Sequence, residues 1–226
     1  MTRSITTPAP TPATAVAPPP KPLLRGWLHL VGAPAVVAAG VPVLLLASDR
    51  SAGLLFAVYI AGVTAMLGAS ALYHVPMWSP EARRRLKRLD HSCIFLAIAG
   101  TYTPIAGHAL GGTAGAALLA AVWVGAVAGI AVRNWKVDGP RWLRSLPYIA
   151  LGWVAILALP ALWTALGPFD VALLAAGGAL YTVGALVYAR GRPDPWPRVF
   201  GAHETFHLLV LAAVATHFVV VARAVL

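Results

Sequence analysis

Three short clusters in this chain bring together side chains able to hold a metal and move a proton: Ser70-Ala-Leu-Tyr-His74, Leu89-Asp90-His91 and His203-Glu204-Thr205-Phe206-His207. Helix positions four apart share a face, so Ser70 lies one turn from His74, and His203 and His207 point the same way. Three histidines leave one position of a tetrahedral zinc ion open; a water there loses its proton near neutral pH and can attack a carbonyl. Asp90 would supply the acid, either as general base or by orienting a ligand. The Ser70 hydroxyl could hydrogen-bond the same water or the substrate. His203-Glu-Thr-Phe-His207 also spells the H-E-x-x-H of zinc metalloproteases, in which the glutamate is the base. Glu204, however, is rotated about 100° from His203 on a helix, and Asp90 already offers an acid. The plain alternative for any one of these residues is a hydrated histidine at a helix end, or an aspartate paired with a neighbouring arginine.

The elements that must position these clusters are membrane spans. Of 226 residues, 59% are apolar and only 11% charged, where an ordinary soluble domain has about 25% charged; mean hydropathy is +0.77. Residues 1–26 carry seven prolines among Thr and Ala and no apolar run, a composition that favours a disordered tail. Beyond it, residues 27–226 read as a transmembrane domain of seven apolar stretches: Trp27–Ala47, Leu54–His74, Asp90–Leu110, Ala114–Val132, Leu146–Ala165, Phe169–Tyr188 and His203–Val225. Each is close to the roughly 20 residues that cross a hydrocarbon core about 30 Å thick. The first, flanked by Lys21 and Arg25, reads as a span and not as a signal sequence, because it is long and no clear cleavage site follows. The expected fold is an all-α integral membrane protein, a seven-transmembrane helix bundle.

A net charge of +10 would suggest nucleic acid in a soluble protein, but here the basic residues alternate between loops. All but Arg50 and Arg223 of the 17 Lys and Arg fall before span 1, between spans 2 and 3, between 4 and 5, or between 6 and 7. The positive-inside rule then gives a cytoplasmic N-terminus and an external C-terminus, with membrane lipids as partners and no nucleic acid. In that topology span 2 ends, and spans 3 and 7 begin, near the inner face. All three clusters share one depth, as a common metal site requires. The single Cys93 forms no intramolecular disulfide.

At these residues the sequence resembles the hemolysin III family, the bacterial branch of the progestin and adipoQ receptor family of seven-span membrane proteins. The matching pieces are Ser70-Ala-Leu-Tyr-His74, Leu89-Asp90-His91-Ser92 leading into Ile94-Phe95 and Ile98-Ala99-Gly100-Thr101-Tyr102-Thr103-Pro104, and His203-Glu204-Thr205-Phe206-His207 with His217 beyond. The resemblance implies that His74, His203 and His207 are zinc ligands, with Asp90 and Ser70 beside the water on the metal, in a multi-pass protein of the cell membrane, the inner membrane of a bacterium. In the family H-E-x-x-H is a variant of plain H-x-x-x-H, which weighs against a protease. The expected function is zinc-dependent hydrolysis of a lipid amide or ester, ceramidase-like. Two alternatives stand beside it: a non-catalytic membrane-homeostasis or sensor protein with structural zinc, and the cytolytic pore that the family name suggests. A pore finds little support, since the spans carry almost no other ionisable groups to line a channel.

The remaining notable residues have simpler readings. His29 and His108 are expected at the interface, and His217, about 15 Å beyond His207, to hydrogen-bond within the bundle or line a cavity. Thr101 to Pro104 should bend span 3, and Gly177, Gly178 and Gly184 should mark close packing of span 6. Most of the eight Trp fall near span ends, as an aromatic belt would; Trp123 and Trp153 do not.

Overall fold

The computed structural model describes residues 21–135 and 141–226, with the side chains of 141–144 excepted. In lipid every backbone N–H and C=O must be satisfied within the segment, so long apolar runs fold as helices. The helices are α1 (Trp27–Leu46), α2 (Arg50–His74), α3 (Pro80–Pro104), α4 (Gly112–Trp135), α5 (Arg141–Gly152), α6 (Leu159–Arg190) and α7 (Ala202–Val225), with a π-helical turn Ile105–Leu110 after α3 and a 3-10 turn Trp153–Ala158 before α6. No strand occurs among the described residues, only an isolated bridge between Trp196 and Phe200. Six helical stretches are long and apolar enough to cross a membrane, α1, α2, α3 with its π turn, α4, Ser145–Arg190 and α7. Large apolar side chains such as Leu45, Val124 and Leu157 point outward, as they do when the surrounding solvent is lipid.

The stretch Ser145–Arg190 covers 46 residues and joins what the sequence suggests are two spans. Its continuity is broken at Gly167, whose φ of 79° and ψ of 170° are non-helical, followed by Pro168, which has no N–H to donate. α3 begins earlier than the apolar count indicates. Ser79 Oγ accepts from Ala82 N at 3.3 Å and Pro80 takes the first helical position, so the basic run Arg83 to Arg88 is helical and continuous with Asp90.

At the centre, α2 packs on α1, α3 and α7, burying Phe56, Tyr59, Val63 and Leu67. The α2–α3 crossing is close: a Cβ on Gly62 would lie 2.7 Å from Leu96 O, and one on Gly100 3.1 Å from Val58 O. Span 3 does change its winding at Pro104. The hydroxyls of Thr101 and Thr103 donate to Ala97 O and Ala99 O, each at 2.8 Å, not to the Gly100 carbonyl that Pro104 leaves without its helical donor. The two interior indoles find threonines, Trp123 Nε1 donating to Thr103 Oγ1 at 3.2 Å and Trp153 Nε1 to Thr182 Oγ1 at 3.0 Å.

The expected disordered tail, residues 1–26, needs a correction at its end. Residues 1–20 lie outside those described, but 21–26 are laid across the molecule. Leu23 N and Leu24 N donate to Arg198 O and Val199 O at 3.0 and 3.1 Å, and Lys21 Nζ donates to Val75 O at 2.8 Å. Two backbone hydrogen bonds thus tie this short segment to the loop before α7, and Arg25 N closes a turn on Pro22 O, so it ends as a strap over the start of α7.

Candidate metal centre

The last turns of α2 carry Ser70 and His74, and the first turns of α7 carry His203 and His207. The structure brings the two helix ends together. One ligand atom from each of His74, His203 and His207 lies within 4.8 Å of the other two, and no fourth His, Cys, Asp or Glu joins that group among the described residues. His74 and His207 are buried and His203 half-buried. His74 Nε2 and His203 Nε2 are 3.2 Å apart. Two zinc–nitrogen bonds of about 2.0–2.1 Å at a tetrahedral angle place their nitrogens about 3.3 Å apart, so this pair is spaced as two ligands of one ion would be. Three histidines from two helices could therefore hold a metal ion here.

Asp90 and Ser70, both buried, line the same cavity of about 540 Å³ as the three histidines. Asp90 Oδ2 lies 3.4 Å from His91 Nδ1, while that nitrogen is the donor to Lys87 O at 2.7 Å. The cavity continues away from the histidines between α3, α5, α6 and α7 to Trp153, Tyr181 and His217, and most of its lining is apolar. His217 sits at this far end, its Nε2 donating to Leu174 O at 3.1 Å. It packs so tightly on α6 that a Cβ on Gly177 would be 2.3 Å from Nε2. Gly184 similarly faces Phe206, at 3.3 Å from a built Cβ, so these glycines do mark close packing. His108 is elsewhere, beside Asp170 and Arg223 at the other end of the bundle.

Glu204 does not face the cavity. It is fully buried, ion-paired to Arg25, and its Oε2 accepts from Gly201 N at 2.8 Å at the start of α7. The H-E-x-x-H glutamate thus ties the strap 21–26 to α7 and is not placed as a base. Gly26 completes this anchor: its φ is 86° and a Cβ there would stand 2.7 Å from His74 Cβ, so the strap turns against the end of α2 that carries His74.

His29 departs from the interfacial position its place near the span end suggests: it is buried, its ring stacked on His207 at 3.8 Å between centroids and 6° between planes. Neither of its ring nitrogens has a hydrogen-bond partner among the described residues. The Arg25–Glu204 pair is not evident from the sequence, in which Arg25 counts as one of the topology charges before span 1. The available signal was spacing: Arg25 and His29 are one turn apart at the head of span 1, like Ser70 and His74 at the foot of span 2.

The family described as "Haemolysin-III related" matches residues 19–218. The chain belongs to that family. The hemolysin III match takes in every residue of the site, from Arg25 to His207. "Hemolysin-3" of Bacillus cereus is 34% identical over 193 residues, covering 84% of this chain and 85% of that protein. The "Hemolysin-3 homolog" of Bacillus subtilis is 36% identical over 133 residues, 59% of this chain and 60% of that one. The wider progestin and adipoQ receptor group is also reached, through an "Adiponectin receptor protein" of Drosophila melanogaster, 27% identical over 214 residues, 85% of this chain and 48% of that one. With its membrane-length helices, this hemolysin III family member is a multi-pass protein of the cell membrane.

Proposed function

We propose that this hemolysin III protein is a zinc-dependent hydrolase of a lipid amide or ester, working from the cytoplasmic side of a seven-crossing bundle with its N-terminus inside and C-terminus outside. The observation that carries the reading is one cavity that joins three clustered histidines, a buried Asp90 and Ser70 to a long apolar recess. Zinc held by His74, His203 and His207 would supply a Lewis acid and a nucleophile available at neutral pH. Asp90 takes a proton from the attacking water at its carboxylate and returns it to the leaving amine or alcohol. The Ser70 hydroxyl hydrogen-bonds the carbonyl under attack, and the apolar recess takes the hydrocarbon chain. A structural zinc calls for four protein ligands, whereas the group has three among the described residues.

Two observations support the seven-crossing topology. The break at Gly167 divides Ser145–Arg190 into 145–166 and 168–190, each of membrane-crossing length, while a single 46-residue crossing would be about twice the hydrocarbon thickness. The basic loops fall on one side only when both pieces cross.

The test compares purified wild-type protein with Asp90→Asn and Ser70→Ala on a panel of ceramide-like amides and phospholipid esters. Both variants are expected to keep fold and zinc, and Asp90→Asn to lose about a hundredfold or more of the turnover. Absence of turnover by the wild-type protein across the panel would overturn catalysis and leave the metal a structural tie.

A further inference from the structure

α3 lines the cavity along most of its length and changes character as it goes. Arg83 and Lys87 come first, then Asp90, then Ile94, Ile98 and Tyr102, all on the cavity wall. At 1.5 Å per residue the two cations stand roughly 5–10 Å to one side of Asp90, and the apolar residues extend roughly 6–18 Å to the other. Arg83 is exposed and Lys87 half-buried, so this is the outer end. A basic mouth, an acidic level and an apolar depth follow one another on a single helix face.

The five cations of this turn are not equivalent. Arg84 and Arg88 are exposed and absent from the cavity wall, and Arg85 pairs with Glu81 at 2.6 Å. Arg83, by contrast, holds its guanidinium carbon 4.9 Å over the ring of Tyr73, the residue before His74, in a cation–π contact that fixes the fork at the mouth. Arg25, the other cation on the wall, is engaged by Glu204. The positive-inside rule accounts for the number of basic residues here, but not for the register that turns this pair, four apart, onto the cavity. A neutral lipid amide would leave such a pair without a counter-charge.

We propose that the lipid held in this cavity carries a phosphate next to its hydrocarbon chain, seated between Arg83 and Lys87 with the chain along the apolar face of α3. A planar guanidinium fork beside an ammonium with three donors suits the several oxygens of a phosphate. The inference deepens the hydrolase reading and rests on its lipid cavity, though not on turnover. It is tested by calorimetric titration of the full-length protein in neutral detergent with dodecyl phosphate, 1-dodecanol and inorganic phosphate, with metal content measured alongside.

Dodecyl phosphate is expected to bind at least tenfold more tightly than dodecanol. Arg83→Gln/Lys87→Gln should abolish that preference while dodecanol binding, which reports an intact cavity, is unchanged. Arg84→Gln/Arg88→Gln removes the same charge from the same turn and should keep it. Inorganic phosphate should neither bind nor compete at matching concentration. Equal binding of phosphate and alcohol, equal loss in the two double variants, or competition by inorganic phosphate as strong as by dodecyl phosphate would each overturn the proposal. Dodecanol bound without phosphate preference sinks this inference alone, whereas binding of neither dodecyl compound also sinks the lipid-cavity reading beneath it.

Discussion

Between His203 and His207 on α7, Glu204 is rotated about 100° from its neighbour, and its carboxylate meets Arg25 and the Gly201 N–H while both histidines face the cavity. Replacing Glu204 with Gln leaves the Arg25 guanidinium, three-quarters buried, without a counter-charge. Because that group still reaches water, the cost should be at the low end for a broken buried pair, about 1–3 kcal/mol. The expected outcome is a lower denaturation midpoint with zinc retained and turnover at the permissive temperature little changed. A general base would behave in the opposite way, with turnover falling at least about a hundredfold at unchanged stability. This distinction was readable from the chain, since helical spacing alone separates Glu204 from the two histidines. The position of His29 was not. Its burial against His207 depends on the angle at which the chain enters α1, set by the left-handed backbone of Gly26, and no periodicity records such an angle.

Elements locate the site by how closely they cross. Ser70 and His74 come from α2 and Asp90 from α3, and the two helices meet where Gly62 faces the backbone at Leu96 and Gly100 faces that at Val58. Gly62→Ala puts a methyl 2.7 Å from Leu96 O, a backbone atom that cannot swing aside. The helices must separate, at a cost of about 1–3 kcal/mol. Thermal unfolding should fall accordingly, and zinc should be lost at a lower chelator concentration than from wild type as His74 moves off the α7 histidines. Unchanged melting and chelator resistance would mean that the crossing does not set the site. The apolar runs themselves were plain in the sequence because lipid demands length and uniformity. Their joints were less so: Ser79 and Pro80 signal a helix start that hydropathy hides, and Gly167-Pro168 reads equally as a loop or as the kink seen here.

For the molecule as a whole, the proposed orientation rests on where the basic residues lie, and it can be tested with the single native cysteine, Cys93, buried. Arg84→Cys, Arg50→Cys and Ala165→Cys each add one exposed thiol for a membrane-impermeant maleimide. Arg84→Cys is expected to label only from the cytoplasmic side, and the other two only from outside. Labelling of Ala165→Cys from the cytoplasm would deny that Ser145–Arg190 crosses twice. The hemolysin III fold gathers residues more than a hundred positions apart, His74 with His203 and His207, and that convergence is the centre of the account. That His74 ends one apolar run and His203 begins another was readable from the sequence; their contact was not, since it depends on how α1, α2 and α7 pack. Metal analysis of the purified full-length protein tests it most directly. Close to one zinc per chain is expected, falling to near none in His203→Ala/His207→Ala with the helical content intact. Zinc absent from wild type, or fully retained by that variant, would contradict the site.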